Sequence, residues 1–248
     1  MPQSGKGSAQ QTTALAIFAK APVPGQVKTR LCPPLTPDEA ATLHGSFVLD
    51  TLERTRTAVG KFKLPIDRYL GCAPSSSLVF FKIMEERQAV SLFDQDGEDL
   101  GIRMARAFEH LFTRGYRSVI LVGTDVPTLP LERYQQAAKL LETHDLVLGP
   151  ALDGGYYLIG LTKPAPALFQ NIPWSTDQVL SLTKAQADKL ALSTALLPEW
   201  RDVDTPDDLR ALIEAGALDA KHPKQAQQFS ARTNGALQLL AKRLRSRA

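Results

Sequence analysis

Short apolar runs alternate with longer amphipathic stretches along most of the 248-residue chain. The short runs are typical of buried strands, and the amphipathic stretches carry apolar residues at helical spacing. Strands are predicted at 13–19, 66–73, 118–125, 145–151, 155–162 and 193–198. Helices are predicted at 36–58, 98–115, 129–144, 175–190 and 205–216. The alternation predicts an α/β fold, a mostly parallel twisted sheet with helices on both faces, and the adjacent strands 145–151 and 155–162 predict an antiparallel insertion.

The chain is expected to form one domain with a segment at each end. Residues 1–13 are polar and predict a flexible leader, residues 14–215 form the α/β domain, and residues 216–248 are a basic, helical C-terminal extension. The leader lacks the apolar centre of a signal peptide, and no apolar run approaches the ~18 residues of a membrane helix. We therefore expect a cytoplasmic protein without a transmembrane segment.

Charge is unevenly distributed along the chain. The net charge is +3, but the residues from 216 onward carry seven basic side chains against one acidic side chain, so the rest of the chain carries −3. A mildly acidic body argues against a nucleic-acid-binding protein. The extension also has Leu237, Leu240 and Leu244 at helical spacing, so it is expected to pack on the body or to fray. The two cysteines, Cys32 and Cys72, lie far apart and predict free thiols.

A basic loop follows the first predicted strand. Ligands of parallel α/β sheets bind beyond the carboxyl ends of the strands, so the residues after each strand are the informative ones. Here the sequence AKAPVPGQVKTRL supplies Lys20, Gly25, Lys28, Thr29 and Arg30. Glycine lets backbone N–H groups approach an anion, and lysine and arginine supply counter-charge. The loop predicts a phosphate site, with a solvated basic turn as the alternative, and it has neither Walker nor dinucleotide-binding glycine spacing.

Carboxylates follow two other predicted strands. Asp125 closes the most apolar strand, in GTDVPTLP, where it is placed to hold a magnesium ion. Asp202 and Asp204 alternate in DVDTPDDL, so in an extended segment both point to the same side and one is free to meet Asp125 across a metal. Asp125 as a helix cap is the alternative, although Thr128 is better placed for that.

A third carboxylate, Asp153, precedes Gly154 and Gly155 in LDGGYYLIG. The glycines permit a tight turn close to a ligand, and an ordinary hairpin turn is equally compatible with the sequence. The histidines have no acidic or cysteine partners at ligand spacing, so none is predicted to be a catalytic base.

Six motifs, in this order, carry a resemblance to a known family. They are FAKAPVPGQVKTRL, DLGIRM, VGTDVPTLP, LGPALDGGYYLIG, PWSTDQVL and DVDTPDDL. Over about residues 14–213 the chain resembles the radical-SAM/selenodomain-associated transferase 1 family, whose members are described as arsenosugar-type glycosyltransferases. That family belongs to the nucleotide-diphospho-sugar transferase superfamily and has the GT-A fold.

The resemblance implies roles for individual residues. It makes the loop from Lys20 to Arg30 the phosphate loop and Asp125 the metal aspartate, at the place where related glycosyltransferases keep an Asp-x-Asp motif. This chain has only one acid at that place, so the resemblance favours Asp204 or Asp202 as the further metal ligands. It further implies an acceptor pocket, lined by Arg103, Asp153, Gly154, Gly155, Trp174 and Ser175. Ser175 as a cap of the next helix and Arg103 as a solvent-facing side chain are the alternatives.

Three functions are compatible with these residues. The first is glycosyl transfer from a nucleotide sugar to a small-molecule acceptor, with Mg²⁺ or Mn²⁺ as cofactor, Asp125, Asp153 and Lys28 as catalytic residues, and Asp153 as the base. The second is nucleotidyl transfer from a nucleoside triphosphate, with release of pyrophosphate. The third is a nucleotide-binding protein without turnover. The basic loop fits the second function slightly better, because a triphosphate carries more charge for it to meet, whereas the family resemblance favours the first.

Overall fold

The computed structural model describes residues 12–221 and 231–245. Within these residues seven strands form one sheet. The strands are β1 (Thr13–Lys20), β2 (Ile66–Ala73), β3 (Ser91–Asp94), β4 (Ser118–Val122), β5 (Leu146–Pro150), β6 (Tyr156–Leu161) and β7 (Thr194–Leu196). Their order is β3-β2-β1-β4-β6-β5-β7, and β6 runs antiparallel to both of its neighbours while the other pairs are parallel. The predicted fold class and the antiparallel insertion are confirmed.

Helices cover both faces of this sheet. They are α1 (Pro37–Lys61), α2 (Val79–Gln88), α3 (Leu100–Phe112), α4 (Glu132–Leu140), α5 (Val179–Lys189), α6 (Pro206–Lys221) and α7 (Ala231–Arg245). The long helix α1 starts with a capping box, in which Thr36 and Glu39 satisfy each other's backbone N–H groups. None of the helices in the described residues combines the length and the apolar character that crossing a membrane requires.

Two elements were not predicted from the sequence, the helix α2 and the strand β3. The amphipathic pattern of α2 is weak because apolar residues face solvent: Val79 is 74% exposed and Ile83 is 37% exposed. The strand β3 is four residues long and lies at the edge of the sheet, so it lacks a buried apolar run. Both elements were missed for the same reason: the apolar periodicity of a sequence indicates a helix or a strand only when one face of that element is buried.

Strand β1 lies at the centre of the core. Its alternating side chains divide between the two faces of the sheet, with Leu15 and Ile17 on one face and Ala14 and Ala16 on the other. Every residue of β1 except the last is buried, and Lys20 is the first exposed residue. The strand therefore delivers the chain directly from the core to the carboxyl edge of the sheet.

A third apolar cluster lies beneath the loop that follows β1. It joins Leu31 of that loop to Val203, and α7 contributes Leu237 and Leu240. Helix α7 also contacts α1 through a buried polar group, because the Thr233 hydroxyl donates to the carboxylate of Asp50. The C-terminal helix thus packs on the body and supports the loop.

The predicted segments at the two ends of the chain lie partly outside the described residues. Most of the predicted leader, residues 1–11, lies outside the described residues, as do residues 222–230 and the side chain of Leu244. The predicted boundary after residue 215 falls inside α6. The division into a leader, a domain and an extension stays a prediction.

Candidate functional site

A cavity of about 660 Å³ opens at the carboxyl edge of the sheet. Predicted site residues from several segments line it together: Lys20, Lys28, Thr29, Arg30, Arg103, Asp125, Ser175 and Asp204. The remaining predicted residues lie outside its lining: Gly25, Asp153, Gly154, Gly155, Trp174 and Asp202. The cavity therefore gathers the cations of the first loop and two of the carboxylates into one volume.

The basic loop presents its cations in two different ways. Gly25 turns the chain with a φ of +77°, and Lys28 adopts a left-handed conformation with a φ of +49° at the start of the short 3-10 helix Thr29–Leu31. The side chain of Lys28 is 4% exposed, whereas that of Arg30 is 65% exposed. Lys20 is also exposed. The loop thus buries one cation and leaves two at the surface of the cavity.

The buried ammonium of Lys28 lies between two carboxylates. Its Nζ is 2.6 Å from Asp125 Oδ1 and 2.7 Å from Asp204 Oδ1, and it donates to the carbonyl oxygen of Val203 at 2.8 Å. We call Asp125, Lys28 and Asp204 the closed cluster. An ammonium has three N–H donors, so these three acceptors use all of them.

Electrostatics keep the closed cluster charged. Burial opposes the charge on Lys28, but attraction to Asp125 and Asp204 outweighs it and raises the pKa of Lys28 above its ordinary value. Burial likewise opposes ionisation of Asp125, and the Lys28 ammonium overcomes it and lowers the pKa of that carboxyl. At neutral pH Lys28 and Asp125 therefore both carry their charges.

Backbone contacts fix the segment that carries Asp204. The backbone N–H of Val203 donates to the carbonyl oxygen of Asp125 at 2.9 Å, which ties this segment to the chain after β4. At the start of α6, the Asp208 carboxylate accepts from the backbone N–H groups of Asp204 and Thr205 at 3.3 Å and 2.9 Å. The position of Asp204 is thus set by two neighbouring elements.

A second group of charges shares Asp204 with the closed cluster. One carboxylate oxygen each of Asp153, Asp202 and Asp204 lie within 4.8 Å of one another. We call these three residues the open cluster. Burial, and then the negative charges of Asp153 and Asp204, raise the pKa of Asp202 to about 7. Asp125, predicted as the main metal ligand, is not part of this group.

The open cluster has the chemistry of a divalent cation site. Carboxylate oxygens are hard ligands of the kind that Mg²⁺ and Mn²⁺ take, and three of them converge. Burial first, and then the neighbouring negative charges, raise the pKa of Asp202, and a divalent cation would offset those charges. The donor set therefore fits a divalent metal and does not distinguish one such metal from another.

A tight turn places Asp153 in the open cluster. The Asp153 carboxylate accepts from the backbone N–H of Gly155 at 2.9 Å. Gly154 has a φ of +87°, and a Cβ at this position would lie 2.2 Å from the carbonyl oxygen of Asp177. Only glycine satisfies both constraints. The turn is therefore both a hairpin connection and a support for a carboxylate, and the two readings of the sequence are compatible.

Two of the predicted acceptor residues, Arg103 and Ser175, form part of the cavity wall. Arg103 lines the cavity, and its Nε donates to the carbonyl oxygen of Gly97 at 2.8 Å. Ser175 lines the same cavity with a φ of +67°. It is not the cap of α5, whose N-cap residue is Gln178. Trp174 lies behind this wall, where its indole ring packs against Gly101 of α3, a position at which a Cβ would lie 2.7 Å from the ring.

The cavity lining also includes polar residues that the sequence did not predict, among them His44 and Gln95. His44 of α1 is buried, and its Nε2 donates to the carbonyl oxygen of Lys20 at 3.0 Å; burial lowers its pKa, so the ring is neutral. Gln95 donates from Nε2 to the carbonyl oxygens of Ala19 and Gly71 at 3.2 Å and 2.8 Å. Gln95 directly follows β3, so the rule that favours residues after strands would have found it had that strand been predicted.

Comparison with protein families and curated sequences gives one match. Residues 61–176 match the family model described as "Uncharacterized protein conserved in bacteria (DUF2064)". Among curated proteins, none matches the sequence of this chain significantly.

Solved structures resemble the chain over most of its length. A provisionally named nucleotide-diphospho-sugar transferase from Desulfovibrio desulfuricans G20 superposes with a TM-score of 0.79 at 31% identity, over 95% of this chain and 98% of that one. A cytidylyltransferase from Leptospira borgpetersenii serovar Hardjo-bovis has a TM-score of 0.51 at 14% identity, over 95% of this chain and 96% of that one. A CMP:2-keto-3-deoxy-manno-octonic acid synthetase, solved with CTP, has a TM-score of 0.51 at 12% identity, over 85% of this chain and 99% of that one. At their low identity the last two show the fold alone, whereas the first extends to the sequence. The chain therefore belongs to the nucleotide-diphospho-sugar transferase superfamily.

Proposed function

We propose that the protein is a metal-dependent transferase that moves a glycosyl group from a nucleotide sugar to a small-molecule acceptor. One observation carries the proposal: a single cavity of about 660 Å³ is lined both by the exposed cations of the first loop and by the carboxylates of Asp125 and Asp204, and Asp204 also belongs to the open cluster. A nucleotide diphosphate needs both, because its oxygens bind cations directly and bind carboxylates through a bridging metal.

The diphosphate would lie along the basic loop. Lys20 and Arg30 are exposed toward the cavity, and Gly25 and Thr29 lie in the same loop. Lys28, predicted as a phosphate ligand, has its three N–H donors engaged by protein oxygens in this state. Lys20 and Arg30 are therefore the cations of this loop that we expect a diphosphate to contact first.

A divalent ion, Mg²⁺ or Mn²⁺, would be held by Asp202, Asp204 and Asp153 of the open cluster. When bound there it supplies positive charge for the departing nucleoside diphosphate. Asp125 would influence this ion indirectly. It contacts Lys28, which in turn contacts Asp204, the residue that the closed cluster shares with the open cluster.

The acceptor would enter on the side of Arg103, Ser175 and Trp174. For an inverting reaction, Asp153 is the proposed base, because a carboxylate on an exposed turn is accessible to an acceptor hydroxyl. Gly154 and Gly155 keep that turn narrow. The same carboxylate is a proposed metal ligand, and kinetics of D153N separate the two roles: a lost base lowers kcat with metal affinity retained, and a lost ligand lowers metal affinity.

Nucleotidyl transfer from a nucleoside triphosphate is the second candidate. Arg103 favours it, because its guanidinium lines the same cavity and adds a third cation that the additional phosphate would contact. The two reactions release different products: a nucleoside diphosphate in the first and pyrophosphate in the second.

A product assay tests the proposal. The protein is incubated with Mg²⁺ or Mn²⁺ and, separately, with UDP-, GDP-, ADP- and CDP-sugars and the four nucleoside triphosphates, each with a mixture of small hydroxylated and phosphorylated acceptors. We expect release of a nucleoside diphosphate from a nucleotide sugar. The variant D204N serves as the negative control. Pyrophosphate release from a triphosphate would replace the first candidate with the second. Binding of both donor classes without either product would contradict catalysis.

We also propose a cytoplasmic location. The support is the pair of free thiols, Cys32 and Cys72, which suit a reducing compartment. Cell fractionation followed by detection of the protein tests the location.

A further inference from the structure

The position of the Lys28 ammonium is one that a metal ion could also occupy. Two carboxylate oxygens and one carbonyl oxygen surround Nζ, at 2.6 Å from Asp125, 2.7 Å from Asp204 and 2.8 Å from Val203. Carboxylate and carbonyl oxygens are also the ligands that Mg²⁺ and Mn²⁺ prefer. The chain therefore supplies its own cation at a set of oxygens with the chemistry of a metal site.

Charge balance favours replacement of that cation. Asp125 and Asp204 carry two negative charges, and the ammonium neutralises one of them. A divalent ion would neutralise both. Arg30 gives little further compensation, because its Nη1 is 3.8 Å from Asp204 Oδ2 and its side chain is 65% exposed. The pair of carboxylates keeps a net negative charge while Lys28 is in place.

The position of Lys28 would give a displaced ammonium access to the cavity. Its side chain is long and flexible, its backbone lies in the loop that also contains Gly25, and it lines the same cavity as Lys20 and Arg30. An ammonium displaced from the carboxylates would enter that cavity next to the other two cations, where phosphate oxygens would accept its freed N–H groups. Its phosphate-binding role, predicted from the sequence, would then begin only after displacement.

We propose that Lys28 is a resident counter-ion, and that a divalent cation competes with its ammonium for the carboxylates of Asp125 and Asp204 and releases it into the cavity. The exchange rests on the proposed function only in taking a divalent metal as the cofactor. It adds to that function an order of events, in which binding of the metal makes a third cation available to the phosphates.

Titration calorimetry with MnCl₂ alone tests the competition. We expect K28M to bind Mn²⁺ at least about tenfold more tightly than the unaltered protein, or to bind one additional ion, because the competing charge is gone. The matched control is R30M, which removes a cation of the same loop without vacating the carboxylates and is expected to change the affinity by less than about threefold. Equal or weaker binding by folded K28M would overturn the proposal.

Second variants separate the closed cluster from the open cluster, which share Asp204. The double variant K28M/D125N is expected to lose the gain, because one of the two vacated carboxylates is neutral. The double variant K28M/D153N is expected to keep the gain, since Asp153 belongs to the open cluster alone. The reverse pattern would show that the additional metal binds at the open cluster, and would contradict exchange at Asp125.

A measurement on the unaltered protein covers the case in which K28M does not fold. Lysine acetylation by a water-soluble reagent is followed by mass spectrometry of peptides. The reaction is run without metal and with MgCl₂ or MnCl₂, whose concentration is raised in 20-fold steps up to about 50 mM. Lys28 is 4% exposed and should be protected without metal, then labelled at least about fivefold faster with it, while the exposed Lys61 changes little. Continued protection of Lys28 at the highest metal concentration would overturn the exchange. None of these readouts requires turnover, so failure of the proposed transferase activity would leave them interpretable.

Discussion

The closed cluster and the open cluster differ in how their charges are satisfied, although they share Asp204. In the closed cluster a buried ammonium contacts both carboxylates, and apolar residues such as Leu31 and Val203 lie beside it. In the open cluster three carboxylates converge, and the pKa of Asp202 rises to about 7 because of burial and the neighbouring negative charges.

This difference separates structural charge from functional charge. In the closed cluster the buried Lys28 ammonium holds together the two segments that carry Asp125 and Asp204. These carboxylates are 44% and 31% exposed, so solvent screening reduces what the ion pairs contribute to stability. In the open cluster the Lys28 ammonium contacts Asp204, and a divalent ion would add positive charge beside Asp153 and Asp202. In our proposal the open cluster holds the metal cofactor, and the closed cluster holds two segments of chain together until a divalent cation displaces Lys28.

The largest expected effect removes the support beneath the closed cluster. Leu237 of α7 is 2% exposed and packs in the cluster that contains Leu31 and Val203. We expect L237A to lower the free energy of unfolding by about 3 kcal/mol, through lost apolar burial and the cavity that remains. Urea unfolding measures the change.

Helix α7 offers a matched control for this substitution. Leu239 lies two residues further along the same helix and is 73% exposed. L239A should therefore change the free energy of unfolding by less than about 0.5 kcal/mol. Equal losses in the two variants would show that α7 does not pack on the body as the structure describes.

The next effect is at the carboxylate that the two clusters share. D204N is expected to reduce both Mn²⁺ affinity and kcat/KM by about 100-fold, because it removes a proposed ligand and a partner of Lys28 together. D125N and D153N each alter one cluster only and should each have a smaller effect on Mn²⁺ affinity than D204N. Calorimetry and initial rates measure the three variants. If D125N matched D204N and D153N had no effect, the assignment of the metal to the open cluster would be wrong.

These comparisons also show how far the sequence alone could lead. Alternation of apolar runs predicted the sheet, and the position of Lys28, Asp125 and Asp204 after apolar or extended segments predicted that they would meet. The sequence could not show that Lys28 already has three acceptors, because that depends on distances between residues more than 75 positions apart along the chain. Gln95 was missed for a different reason: the edge strand before it has no buried run to detect.

A smaller effect concerns the pH dependence of the metal-free protein. The pKa of Asp202 is about 7 in the folded state and about 3.9 in an unfolded chain, so between these values the folded state retains a proton that the unfolded state has lost. Stability should therefore fall as the pH rises from about 4 to about 7. The slope is at most about 1.4 kcal/mol per pH unit, and partial exposure of Asp202 reduces it.

Thermal unfolding in EDTA from pH 4.5 to 7.5 measures this slope. D202N should flatten it, because the amide does not titrate, and saturating Mn²⁺ should flatten it as well, because the ion neutralises the cluster. D207N is a suitable control, since Asp207 is exposed at the start of α6 and should leave the slope as it is. An unchanged slope in D202N would mean that the open cluster does not hold uncompensated charge.

The last effect concerns Arg30, the exposed cation beside both clusters. Its Nη1 lies 3.8 Å from Asp204 Oδ2 and its side chain is 65% exposed, so R30M should change the free energy of unfolding by less than about 1 kcal/mol.

The effect of R30M on nucleotide affinity should be larger, because a phosphate contact is worth more than a screened surface pair. R30K should recover part of the affinity, because it restores the charge without the planar fork. Fluorescence titration with UDP and GDP in Mg²⁺, at low and high salt, measures this difference. The loss in R30M should shrink as salt increases, since screening weakens the contact in the unaltered protein. A large loss of stability with unchanged nucleotide affinity would instead place Arg30 with the closed cluster, as a second structural cation. Among residues 12–30 of the described chain, Lys20 would then be the one cation of this loop whose side chain is free to bind phosphate.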